Sequence, residues 1–285
     1  MVIFYTLPPS SVFYPYILIN ASNPEPGLRY VARWLKDLRS CSYPAMILID
    51  SGVEIFRKSS VREYPGGAEE WIKRLVWLYR RVKSLVGDRV VVHATCPDYP
   101  DDYSPRSLWI SREKTNVERT VENVIRCTEY RDVSWLIPIQ GWYRNPAGLL
   151  RCLDYYDELG IAYRYNYFAI ANLCTELDAD LIYRSVYAVW RWFAQRRGEV
   201  PRLHVFGLRI AALKKVSRYL YSFDTTAWTR PVNKRLHDRY PWSAKNLEQK
   251  TLFFCEYAVH LASRYGVDVP LETLDRCSEV LGNLA

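Results

Sequence analysis

Six residues with chemistry or backbone freedom stand where apolar runs end. Asp50 follows "MILI", Asp98 follows "VVVHATCP", and Asp224 follows "LYSF". Gln140 follows "LIPI" and precedes Gly141, Asn172 follows "YFAIA", and Gly207 follows "LHVF". An acid at the tip of a packed strand has fixed geometry while its carboxylate faces a cleft. Such acids serve proton transfer and nucleophilic attack. Each residue also has a plainer use when taken singly. An Asp after a strand caps the next helix, and Asp224 before Thr225-Thr226 is well placed for that. Gln140 can satisfy a backbone group, and Asp101 and Asp102 read as a solvated loop.

The elements that must position these residues alternate along the chain. Short apolar runs at 2–5, 16–19, 46–49, 89–94, 135–139, 167–171, 203–206 and 219–223 read as strands covered on both faces. Between them lie amphipathic stretches at 68–87, 112–131, 146–160, 176–197, 208–218 and 244–265. In the first of these, Trp71, Leu75, Leu78 and Val82 share a face, acids open the helix and Gly87 follows its end. Strand–helix alternation implies parallel βαβ units, and about eight of them in roughly 250 residues fit a (β/α)₈ TIM barrel. The expectation is an α/β chain forming one domain over 1–285. Helices from about 243 to 285 complete the barrel or append to it, and a doubly wound open sheet is the alternative. In a barrel, the C-terminal strand ends share one rim, so distant residues converge on one pocket.

Composition narrows the class. A hydrophobic share of 49% suffices for a large core, and no uninterrupted apolar run reaches about 18 residues, so no spanning helix is expected. The N-terminal segment lacks a basic leader and is broken by Pro8 and Pro9, so it reads as part of the fold. Seven cysteines, none in a C-x-x-C pair, argue for reduced thiols, a cytoplasmic setting and no structural zinc. The four scattered histidines read as core or surface residues. A net charge of +8 suits a polyanionic partner, and "TRPVNKRLHDRYPW" interleaves basic and aromatic residues as nucleic-acid surfaces do. The plainer reading of that segment is a solvated, arginine-rich surface.

In order, the sequence reads strand-Asp-Ser-Gly ("DSGVEIF"), then Pro-Asp, "IPIQG", "AIANL-x-x-E", "VFG" and "SFD-x-x-x-x-TR". This succession resembles the tRNA-guanine transglycosylase superfamily, whose members read approximately DSGGFQ, VQGG, IGGLxxGE, MGVG and FDCxxPTR over the corresponding span. It covers about residues 46 to 231. The chain departs from the pattern in two places. Glu54 and Ile55 stand where the family has Phe-Gln, and Ala171 and Asn172 replace Gly-Gly, although Glu176 keeps the motif's acid. The zinc cluster and added RNA-binding length of the tRNA enzymes have no counterpart. The chain is therefore most similar to the divergent zinc-free branch that inserts 7-deazaguanines into DNA, including viral and archaeal forms.

The resemblance implies base exchange in DNA, favoured over tRNA, with a 7-deazaguanine base such as preQ0 as the incoming partner. No cofactor and no membrane is implied, and a homodimer or a partner subunit stays open. By motif position Asp224 is the nucleophile at C1′, and Asp50 manages the proton on the purine nitrogen. Asp98, with Asp101 and Asp102 as substitutes, accepts from guanine N1–H and the 2-amino group. Gln140 beside Gly141 donates to O6, while Asn172, Leu173 and Gly207 shape the base edge. Arg230, Lys234 and Arg235 hold phosphates. Two other readings remain: a non-catalytic accessory paralogue that docks nucleic acid, and an unrelated barrel hydrolase, which lacks an evident ligand set. Because no cysteines pair as C-x-x-C, purified protein is expected to carry no stoichiometric zinc. Elemental analysis finding one tightly held zinc per chain would overturn that expectation.

Overall fold

The computed structural model describes residues 2–57, 61–101, 114–232, 234–240 and 242–282. The apolar runs form eight strands: β1 (Val2–Tyr5), β2 (Tyr16–Asn20), β3 (Met46–Asp50), β4 (Val91–Thr95), β5 (Trp135–Ile139), β6 (Tyr167–Ile170), β7 (Arg202–Val205) and β8 (Ser222–Asp224). A ninth, β9 (Val267–Asp268), was not foreseen. The helices that follow β2 are α1 (Glu25–Arg33) and α2 (Leu35–Ser40), and α3 (Gly67–Val86) follows β3. After β4 comes α4 (Asn116–Cys127), and after β5 come α5 (Ala147–Glu158) and α6 (Ile161–Arg164). Then follow α7 (Ala179–Arg197), α8 (Ile210–Val216), α9 (Lys234–Arg239), α10 (Leu247–Tyr265) and α11 (Leu271–Gly282).

All nine strands form one sheet in the order β2-β3-β4-β5-β6-β7-β8-β1-β9, and every pair is parallel. The sheet curls into a half-barrel flanked by helices. It corrects the expectation of a closed eight-stranded barrel. β9 pairs with β1 through Val2↔Val267 and Ile3↔Asp268, occupying the edge along the first half of β1. Only the end of β1 then reaches β2, in a single parallel bridge, Thr6↔Ile17. That bridge holds two hydrogen bonds, Thr6 N–H to Tyr16 O at 3.2 Å and Leu18 N–H to Thr6 O at 2.8 Å. Pro15, just before β2, has no N–H to extend the ladder.

Element ends follow local chemistry. The expected helix over 112–131 begins at Asn116 because Thr115 and Glu118 form a reciprocal capping box. The expected helix from 208 begins at Ile210, since Gly207 is left-handed (φ 62) and Arg209 is extended. Residues 217–219 make a 3₁₀ turn, so β8 starts at Ser222 and not at 219. On α3 the residues Trp71, Leu75, Leu78 and Val82 are all buried, and Gly87 closes the helix by donating to Lys83 O at 2.9 Å. Among the described residues no helix is long and apolar enough to cross a membrane. The seven cysteines are free thiols.

The seam between β1 and β2 depends on one phenol. Tyr30, buried on α1, donates to Val12 O at 2.8 Å and accepts Tyr14 N–H at 2.8 Å. Removing it leaves two buried backbone groups without a partner. Tyr30→Phe is expected to cost about 1–3 kcal/mol, read as a lowered urea midpoint with an unchanged m-value. A midpoint equal to wild type would show that the seam does not depend on this hydroxyl.

Candidate active site

The strand ends converge as their types require. A cavity of about 470 Å³ opens at the C-terminal ends of the strands, lined by Asp50, Asp98 and Asp224 together with Asn20, Glu54 and Phe206. Ser51, Gly207, Arg209 and Thr225 also contribute to its wall. Asp50 arrives on β3, Asp224 on β8, and Asp98 on the segment just after β4. Asp50 and Asp224 are the last residues of their strands and Asp98 lies three residues beyond Thr95, the end of β4, so parallel strands deliver all three to one rim.

Each acid has its own environment. Asp98 is buried, with Oδ1 accepting Ser51 Oγ–H at 2.9 Å and Oδ2 accepting Gln140 Nε2–H at 3.0 Å. Its backbone carbonyl accepts Tyr64 O–H at 2.7 Å. Burial outweighs those donors and pushes its carboxyl up to about 7. Burial also pushes the Asp50 carboxyl well above the ordinary carboxylate range, reinforced by the negative charges of Glu54, Asp224 and Asp98. Both causes bias Asp50 toward its protonated form. Glu54 is tethered by Asn20 Nδ2–H and Ser22 Oγ–H.

Asp224 does not cap the segment after it. There Thr225 Oγ1 takes that role, accepting Ala227 N–H at 3.1 Å. The Asp224 Oδ1 instead accepts Gly207 N–H at 3.1 Å and lies 3.1 Å from His204 Nε2. Gly207 is required on two counts: its φ is positive, and a Cβ there would lie 2.7 Å from Cys174 Sγ.

Several residues expected at the base edge are not in the cavity wall. Gln140 is fully buried, and its amide is committed to Asp98 and to Gly141 N–H at 3.0 Å. It therefore orients the acid behind the pocket. Asn172 is buried beside Gly141 and donates to Trp142 O at 3.1 Å, and Leu173 is buried. Asp101 accepts Asn116 Nδ2–H at 2.6 Å outside the cavity wall. Asp102 lies outside the described residues. Glu176 braces two loops, accepting Leu177 and Asp178 N–H at 2.9 Å each and pairing with Arg144 at 3.0 Å. Arg230 follows the cavity-lining residues Thr225, Thr226 and Ala227 by three positions, and Lys234 is exposed on α9. Of Arg235 only the place on α9 is described. Among the described residues no group of three or more His, Cys, Asp or Glu is disposed to hold a metal.

From sequence alone no site role was assigned to His204, Glu54, Asn20, Phe206 or Arg209. Strand period two was the available signal for the first and fourth. His204 on β7 and Phe206 just beyond it alternate onto one face, and Phe206 reaches the cavity wall.

The raised Asp98 carboxyl makes stability depend on pH. In the unfolded chain such a group titrates near 4, so between about 4 and about 7 the folded state holds the extra proton. The contribution is fully present below about 4 and is lost as pH rises through about 7, an effect of roughly 4 kcal/mol at most. Asp98→Asn is expected to flatten this part of the stability profile, measured by urea unfolding from pH 4 to 8. An unchanged slope would rule out Asp98 as its source. No protein-family model matches the chain, and no curated protein matches it.

Proposed function

We propose that the protein is a base-exchanging transglycosylase that replaces guanine with a 7-deazaguanine derivative in nucleic acid, with DNA favoured over tRNA. The observation that carries this reading is the convergence of Asp50, Asp98 and Asp224 on one cavity, with Asp224 Oδ1 anchored and Asp50 disposed to hold a proton. The motif order described above supplies the reaction class. The preference for DNA follows the resemblance to the zinc-free branch.

The chemistry runs as a double displacement. The target nucleotide leaves its stack and enters the cavity. Asp224 Oδ2 attacks C1′ as the C1′–N9 bond breaks, and the bonding pair goes to N9 of the departing guanine, which takes the Asp50 proton. The incoming 7-deazaguanine then gives its N9 proton to the Asp50 carboxylate and attacks C1′. The Oδ2–C1′ bond breaks, and both acids return to their starting states. Asp98, held by Ser51 and Gln140, accepts the guanine N1–H and 2-amino donors through its remaining lone pairs. Phe206 offers an aromatic wall to the base. Arg230, Lys234 and Arg235 contact phosphates.

A second reading, an accessory protein that binds nucleic acid or a catalytic partner without exchange, is favoured by Asn172. Its side chain fills the space beside Gly141, where the family's Gly-Gly leaves the backbone open. Mass spectrometry of nucleosides after incubation with DNA or tRNA and 7-deazaguanine bases separates the two. Wild-type protein is expected to insert the base. Asp224→Asn is expected to lose about 10³-fold or more in rate, roughly 4 kcal/mol of barrier, while nucleic-acid binding survives. Neutralising Arg230, Lys234 and Arg235 should weaken binding and flatten its salt dependence. Wild-type exchange by Asp224→Asn would move the nucleophile elsewhere, and no exchange by wild-type protein on either substrate would favour the accessory reading.

A further inference from the structure

The concave face of a curled parallel sheet is ordinarily filled by branched apolar side chains. Below the cavity this one carries a polar chain. Ser222 and Asp224 share one face of β8, and His204 lies beside them on β7. His204 is fully buried. Its Nε2 lies 3.1 Å from Asp224 Oδ1 and its Nδ1 lies 2.9 Å from Ser222 Oγ, which in turn lies 2.6 Å from the Tyr167 hydroxyl. The imidazole is walled in by the rings of Phe206 at 4.6 Å, Tyr5 at 6.0 Å and Tyr167 at 6.5 Å between centroids.

We propose that His204 is a positioning residue for Asp224, holding Oδ1 so that Oδ2 alone is presented to the sugar. The inference rests on the transglycosylase reading for its chemistry. An ionised carboxylate only accepts, so the hydrogen sits on Nε2. Nδ1 then accepts Ser222 O–H, and Ser222 Oγ accepts Tyr167 O–H. This chain selects one tautomer and one ring orientation. Gly207 N–H and His204 Nε2–H both fall on Oδ1, and among the described residues Oδ2 receives no hydrogen bond.

The division suits a carboxylate nucleophile. Oδ2 keeps an unengaged lone pair aimed at C1′. In the glycosyl ester Oδ1 becomes the carbonyl oxygen. It regains negative charge as Oδ2–C1′ breaks in the second displacement, and donors already in place strengthen as it does so. No proton leaves His204 at any stage. The lone histidine of "RLHVF" thus acts through Asp224 and touches neither base nor sugar.

Two variants and one spectrum test this. His204→Gln keeps an N–H donor where Nε2 stands, and His204→Leu removes it. Guanine exchange by the Leu variant is expected to fall about 100-fold in kcat, with KM for the nucleic acid unchanged. The Gln variant should stay within about tenfold of wild type. Equal losses in both, or none in Leu, would overturn the proposal. The spectrum needs neither folded variants nor turnover: ¹⁵N NMR of the wild-type imidazole should show the hydrogen on Nε2, and a hydrogen on Nδ1 alone would overturn the assignment. If wild-type protein exchanges no base on DNA or tRNA, the transglycosylase reading fails by itself, and the tautomer still decides whether His204 holds Asp224.

Discussion

Carboxyl groups gathered in one cleft repel one another and resist leaving water, and the rim is built around that cost. Asp50, Glu54, Asp98 and Asp224 all line the same cavity, and each meets the difficulty differently. Asp224 shares two donors on one oxygen, from Gly207 and His204. Asp98 takes one donor on each oxygen, from Ser51 and Gln140. Glu54 is tied to Asn20 and Ser22. For Asp50, burial and the neighbouring acids push the carboxyl up, toward its protonated form. Environments that push like groups apart are what allow one acid to act as nucleophile and another as proton carrier.

The scaffold extends this arrangement outward. Beneath Asp98 and Ser51 lies a cluster of large rings, in which Tyr64 stacks on Trp71 at 5.3 Å and packs edge-on against Phe56 at 4.9 Å. Two of these rings also hold the backbone of the site, since Trp71 Nε1–H donates to Ser51 O at 2.8 Å and Tyr64 O–H donates to Asp98 O at 2.7 Å. The same side chains therefore bury apolar area and set the angle at which two site residues face the cleft. On the opposite side, Trp228 donates to Thr6 Oγ1 at 2.7 Å, coupling the turn after β8 to the bridge that joins β1 and β2. Helix α10 packs behind it through Phe254, whose ring lies edge-on to Trp228 at 5.7 Å.

The two departures from the motif order acquire structural meaning here. Where the resembled motif has an aromatic residue, Glu54 adds a fourth acid to the cavity, and Phe206, just beyond β7, supplies an aromatic ring to its wall. Where the family has Gly-Gly, Asn172 packs its amide against Gly141. Both changes leave the three acids in place on the cavity wall.

Much of the fold was legible in the residues alone, because buried parallel strands read as short apolar runs and their covering helices as amphipathic stretches. Trp71, Leu75, Leu78 and Val82 could be assigned to a buried face from spacing. Asp50, Asp98 and Asp224 could be assigned to one rim, because parallel strands share a direction. What the sequence could not decide were contacts between segments far apart in the chain. β9 pairs two residues at the N-terminal edge with two near the C-terminus, a contact too short to leave a pattern. It explains why β1 meets β2 in one bridge and not in a ladder. Gln140 and Asn172 stand at strand ends as expected. Which way their amides turn depended on Asp98, Gly141 and Trp142, so both ended behind the cavity. His204 read as a core or surface histidine. Only the packing of β7 against β8 brings its two nitrogens within reach of Asp224 and Ser222, and that three-dimensional coincidence, absent from any local motif, turns a buried ring into part of the site.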